Sequence, residues 1–366
     1  MSGALAFGVL LQSDPGTLQY VIDQLTNVQL WLGAFAGGAF GAALGALPVF
    51  IFTGFLVVAG EAAVLANPDA AALTGSIAFG PVFGPHTSFA GGAAAVAYAA
   101  RRGYMDTGFD YHEAKNILFA QGSRWDVLAV GGLFGVLGML IRQVSGGFLL
   151  PWDPIAMGVT LGALFHRVIL GYSIIGKVEK GLLNMRPFEQ EEHRQAAPEG
   201  DVAADGGTVQ HERLLVEPWL PHQYKWGNVA FLGLAVGLGS GYLAYATGSA
   251  FLGFGISAAS LVFLNCGVEQ TPVTHHITLP SATAFLAVSA SGDAVLAGLG
   301  VGAALAVAAI YGIFGALVAE LHQRIFYSHG DTHWDPPASS IVVTTFTIAV
   351  LTIAGVFPTA VWVPTL

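Results

Sequence analysis

Two histidines stand side by side in an apolar stretch punctuated by proline, Thr271-Pro-Val-Thr-His-His-Ile-Thr-Leu-Pro-Ser-Ala-Thr283. A third lies in a similar stretch, Gly80-Pro-Val-Phe-Gly-Pro-His-Thr-Ser-Phe-Ala-Gly-Gly92. Aligned on their histidines, the stretches set His86 against His276 and Ser88 against Thr278. Imidazoles and hydroxyls are adaptable donors and acceptors, and a helix interrupted inside an apolar segment also frees backbone N–H and C=O groups. A helix restarting after the interruption points its positive end inward, which favours an anionic group. The candidate solute-binding residues are therefore His86, Thr87, Ser88, Thr274, His275, His276, Thr278 and Ser281. The competing reading is that the prolines kink two packed helices whose histidines bond neighbouring carbonyls.

Ionisable side chains within apolar segments are costly and are functional candidates by default. Glu61 and Glu269 fall in or beside such segments and are candidates for coupling an ion. Arg167 joins the solute-binding set. Its guanidinium keeps its charge, so it calls for a carboxylate, Glu61 or Glu269, or for an anionic solute. If its segment runs from Pro154 to about residue 182, Arg167 lies near the middle. Arg142 is expected to snorkel or meet lipid headgroups, and Glu320 and Arg324, four apart, to pair on a helix.

Other chemistry is poorly supported. His329, Asp331, His333 and Asp335 have the look of metal-ligand spacing, but they sit in a polar loop without a counterpart elsewhere and read as solvated. Cys266, the only cysteine, excludes an internal disulfide or thiolate cluster and reads as a small buried residue. The chain has no G-x-x-x-x-G-K-[ST], H-E-x-x-H or G-x-S-x-G motif, so neither ATP-driven transport by this chain alone nor an intramembrane enzyme is indicated. No metal or cofactor is expected.

The elements that would position these residues follow from composition. Of 366 residues, 54% are hydrophobic and only 10% charged, where a soluble protein carries roughly 25% charged. Apolar runs recur at spanning length, and such runs satisfy their backbone only as helices. The expected fold is an all-α polytopic membrane helix bundle of about ten spans. Five landmarks appear twice in the same order. The first is glycine at four-residue spacing (Gly33, Gly37, Gly41, Gly45, then Gly233, Gly237, Gly241). A second apolar segment follows in each half, and then the broken stretch. Asp126-Val-Leu-Ala next matches Asp293-Ala-Val-Leu-Ala, and Trp152-Asp-Pro matches Trp334-Asp-Pro. This reads as two five-helix repeats, 29–175 and 226–366, each with a broken third helix. Residues 1–28 form an interfacial lead-in without the basic flank of a signal peptide, and 176–225 an acidic linker of disordered composition. Asp126, Asp153, Asp293 and Asp335 are expected to cap helices.

Ten of the thirteen Lys and Arg residues fall in loops 101–125 and 176–225, which places both in the cytoplasm. Counting five crossings per half puts both termini outside and makes the second repeat enter from the opposite side. That is the plan of many secondary transporters, whose sites lie at broken helices near the midplane. The expected function is secondary transport of a small polar or anionic solute, coupled to a proton or a cation such as Na+. The alternatives are a passive channel on the same plan and a structural membrane protein. The expected partners are the lipid bilayer and the solute, not nucleic acid, and a homo-oligomer is compatible with the pattern. The acidic excess (23 against 13) points to a halophile.

Overall fold

A computed structural model describes residues 18–70, 73–194 and 213–365. Most of the predicted lead-in and the acidic middle of the linker lie outside these residues. Among them the chain is all-helical, with one isolated bridge between His193 and Leu214. The helices are α1 (Leu18–Leu25), α2 (Val28–Leu44), α3 (Ala46–Ala66), α4 (Ser88–Arg101), α5 (Trp125–Gly147) and α6 (Pro154–Leu170) in the first half. In the second half they are α7 (Trp226–Thr247), α8 (Leu252–Asn265), α9 (His275–Ser289), α10 (Val301–His322) and α11 (Pro336–Ile353). Five helical segments are long and apolar enough to cross a membrane: Ala46–Ala66, Trp125–Gly147, Trp226–Thr247, Val301–Tyr327 and Pro336–Ile353.

Local chemistry explains most boundaries. Asn27 caps α2 through Leu30 N. Asp153 accepts from Ile155 N and Ala156 N, and Asp335 from Ala338 N, each just before a proline-led helix. Gly45, at φ +98°, makes the corner between α2 and α3, so the chain turns before Pro48. Gly171, left-handed at φ +76°, ends α6. Arg167 consequently lies in the last turn of α6, not near the middle of a longer span.

Two of the expected caps are corrected. Asp126 sits inside the first turn of α5 and accepts from the Tyr98 hydroxyl at 3.4 Å. Asp293 lies in irregular chain before α10, which begins at Val301. Cys266 is exposed rather than buried.

Helix association in lipid relies on close van der Waals contact, because lipid tails are as apolar as leucine. Glycines supply it: Gly33, Gly37 and Gly41 of the predicted row pack on Pro81, Val82 and Ser88. Gly38 of α2 lies on Gly131 and Gly135 of α5, and Gly233 and Gly237 of α7 lie on Gly312 of α10. Helices α4 and α9 each wedge against such a pair. The two halves meet at α3 and α8 and at α6 and α11. Gly54 of α3 faces Ala258 and Ala259 of α8, while Gly255 of α8 faces Val57 and Val58, so α3 and α8 run antiparallel. Asp153 N, at the start of α6, donates to Thr345 Oγ1 late in α11 at 3.0 Å. Ala163, later in α6, packs in one cluster with Trp334, just before α11. This pair is antiparallel too.

The three segments rich in charge gather at one end. Lys115 Nζ meets Glu217 Oε2 at 2.5 Å, Arg213 holds Glu217 and Asp331, and Arg194 reaches Asp331 and the His329 carbonyl. The 329–335 stretch is thus a buried, ion-paired assembly and not a solvated loop; His329 and His333 are almost fully enclosed. Between two cations, Glu217 is held at about 2 despite burial, which opposes this. Burial lowers Lys115 to about 7 against the pull of Glu217. The expected Glu320–Arg324 pair forms at 2.5 Å.

Candidate functional site

Helix α4 begins at Ser88 after a loop from Phe79 to Thr87, and α9 begins at His275 after extended chain. The interruption in the second half therefore precedes His275, and Pro280 sits inside α9. Proline has no N–H to return to the carbonyl four residues back, here that of His276. That carbonyl packs on Gly315, 2.7 Å from where a β-carbon would stand; the His86 carbonyl packs on Gly138 even more closely. Ser88 O likewise lies on Gly41, and Thr278 O accepts from Ser240 Oγ at 2.7 Å. The His86 and His276 carbonyls thus each pack on a glycine of a neighbouring helix, although His86 precedes α4 and His276 lies inside α9.

Most of the predicted binding groups are spent on packing. Thr87 donates to Gly84 O, and Ser88 to Phe83 O and Gly84 O. Thr274 bonds Ser257, and Thr278 donates to His275 O. His86 is enclosed by Gly84, Gly138 and Gly158, with neither ring nitrogen bonded. Ser281 is buried against Gly237 and Gly312. His276 packs edge-on to Trp219.

The charged candidates separate. Glu61 accepts from Thr74 and Ser249, tying the end of α3 to the turn before α8. Glu269 is exposed in the link before α9. Arg167 meets neither. Its guanidinium donates to Thr332 Oγ1, Thr332 O and Ile174 O and lies over Trp334, with His166 Nε2 on the same Thr332 hydroxyl. It anchors the chain leading into α11.

What the structure does assemble is a cavity of about 660 Å3 between the halves. That is the size of a small-molecule site. Asp153, Ala156 and Val159 line it from α6, and Asp335, Ala338 and Ile341 line it at the same spacing from the start of α11. Phe50, four residues before Gly54, faces Phe254, four before Ala258, with ring centroids 6.0 Å apart. Phe89 and Leu279 line it from α4 and α9. Of the predicted binding residues, only His275 is on this wall. Its charged lining residues are Asp110, Lys115, Arg142, Asp153 and Asp335. Arg142 is thus a cavity residue and not a lipid-facing one.

Sequence reasoning missed the phenylalanines, His333 and the cavity role of the two capping aspartates. The recurrence of Phe at matched distance before the small residues of α3 and α8 was the available signal. Among the described residues, no group of three or more His, Cys, Asp or Glu side chains is placed to hold a metal.

This is a helical bundle with spanning-length apolar helices around an apolar central cavity. The chain belongs to the family of unknown function DUF7973, the match covering residues 20–366. No curated protein and no solved structure matches it.

Proposed function

We propose that the protein is a membrane transport protein in which two five-helix repeats, inserted in opposite senses, pass a small solute through the cavity they share. The carrying observation is that corresponding residues of both halves line that cavity, from Asp153 and Val159 to Asp335 and Ile341. The antiparallel crossings of α3 with α8 and α6 with α11 support inversion. A two-fold relating antiparallel partners is perpendicular to the helices and so lies in the plane of a membrane they span. The ten crossings include five helices of 14 to 17 residues, of which α4 and α9 are completed by the irregular chain before them. Such backbone is tolerated at depth where protein encloses it. The gathering of loops 101–125, 176–194, 213–225 and 323–335 at one end agrees with their common cytoplasmic placement.

A single cavity lined from both halves favours a passive path over a gradient-coupled carrier. The candidate coupling residues support this choice: Glu61 is bound to two hydroxyls and Glu269 stands outside the cavity. Purified protein in proteoliposomes tests the proposal. Solute flux should exceed that of protein-free vesicles and follow the solute gradient alone. Uphill accumulation that collapses with a proton or sodium gradient would establish the coupled carrier instead, and no flux for any small solute would refute transport.

A further inference from the structure

One part of the cavity lining is an aromatic wall with two imidazoles set into it. Phe50 touches Phe89, Phe254 and His275, with centroids 5.9, 6.0 and 4.9 Å away. Phe89 in turn meets His333 edge-on at 5.6 Å. His275 and His333 are 6% and 2% exposed, and both line the cavity. His275 Nδ1 and both nitrogens of His333 make no hydrogen bond among the described residues; Asp335 Oδ1 stands 3.6 Å from His333 Nε2. Buried polar atoms left unpaired are costly, so these, with the Tyr111 hydroxyl of the same lining, stand to gain from a solute.

We propose that this wall selects a small uncharged solute that both donates and accepts hydrogen bonds, with His275 and His333 reading it. The inference rests on the transport reading above. Each neutral imidazole offers one donor and one acceptor, so together they match a solute of mixed character, an amide or a polyol. The one carboxylate beside the phenyl rings, Asp335, is engaged with the Ala338 N–H and faces His333, so a bare ion would lose its water for little in return, and burying an unpaired charge is prohibitive. The two cations that line the cavity face carboxylates: Lys115 is bound to Glu217 and the Tyr327 carbonyl, and Arg142 stands near Asp153. Burial also lowers the His333 imidazole against the opposing Asp335 carboxylate, which keeps it neutral at neutral pH.

Proteoliposome flux with urea, acetamide and glycerol as probes, and formate and methylammonium at mildly acid pH as charged comparators, tests the inference. The expected result is accelerated flux of the neutral probes only. His275→Leu and His333→Leu should each cut it about tenfold, the worth of one lost hydrogen bond. His275→Asn, which keeps a donor and an acceptor, should restore much of it. All variants are compared at equal elution and melting behaviour in detergent, so a fold defect is recognised. Flux of formate or methylammonium without the neutral probes would overturn the inference while leaving transport standing. Neutral flux indifferent to both leucine variants would also overturn it. The absence of all flux would remove the transport reading itself.

Discussion

The carbonyl oxygen of His86 rests on Gly138, so close that a β-carbon at that glycine would overlap it. The contact locks the start of α4 against α5, and His276 on Gly315 does the same for α9 and α10. Gly138→Ala should therefore destabilise the bundle by about 1–3 kcal/mol, the usual range for overpacking. Gly146→Ala, whose nearest neighbour would be Pro154 at 3.8 Å, should change little. Thermal unfolding of both variants in one detergent checks the contrast.

Lys115, Glu217, Arg213 and Asp331 form a buried charge network joining loops far apart in sequence. Removing one member of such a group leaves its partner uncompensated, at about 3–5 kcal/mol. Lys115→Met should lose stability on that scale, whereas Lys177→Met, in an exposed pair with Glu179, should lose almost none. Denaturant or thermal unfolding measures both.

The same network fixes a pH dependence. Glu217 has its folded value lowered to about 2 from an ordinary 4.5. A depressed carboxylate stabilises the fold fully above its unfolded value, and that contribution is lost as pH falls from there towards the folded value. Melting temperature should decline with acidification across this window. In Glu217→Gln the decline should be shallower and start from a lower plateau. Asp331, also lowered by Arg213, keeps the variant from being flat.

Much of this architecture is legible in the sequence where the signal is local. The Asp153 and Asp335 caps and the packing face of Gly33, Gly37 and Gly41 are properties of short windows, and the structure places them as such. The cavity is different. In an apolar bundle, lipid-facing and cavity-facing positions are both hydrophobic, so only their matched distance before Gly54 and Ala258 sets Phe50 and Phe254 apart from the exposed Phe52 and Phe263. The charges of 329–335 looked solvated because their partners, Arg194 and Arg213, come from the linker. Arg167 was misjudged because Gly171 ends its helix early.

Opposite insertion of the halves has its own test. Cys266 is exposed in the link between α8 and α9, on the proposed cytoplasmic side, and Ser291 is exposed in the loop after α9, on the proposed outer side. A membrane-impermeant maleimide should label Cys266 only after lysis. In a Cys266→Ala background, Ser291→Cys should be labelled in intact cells. The reverse pair of results would place the second half the other way up.

The central claim, that solute crosses through the shared cavity, is tested most directly by blocking it. Ile341 lines the cavity from α11, and Ile341→Cys in a Cys266→Ala background offers one thiol there. Flux in proteoliposomes should fall steeply after reaction with a small methanethiosulfonate reagent and recover on reduction. Unchanged flux with the thiol shown by mass to be fully modified would contradict the claim.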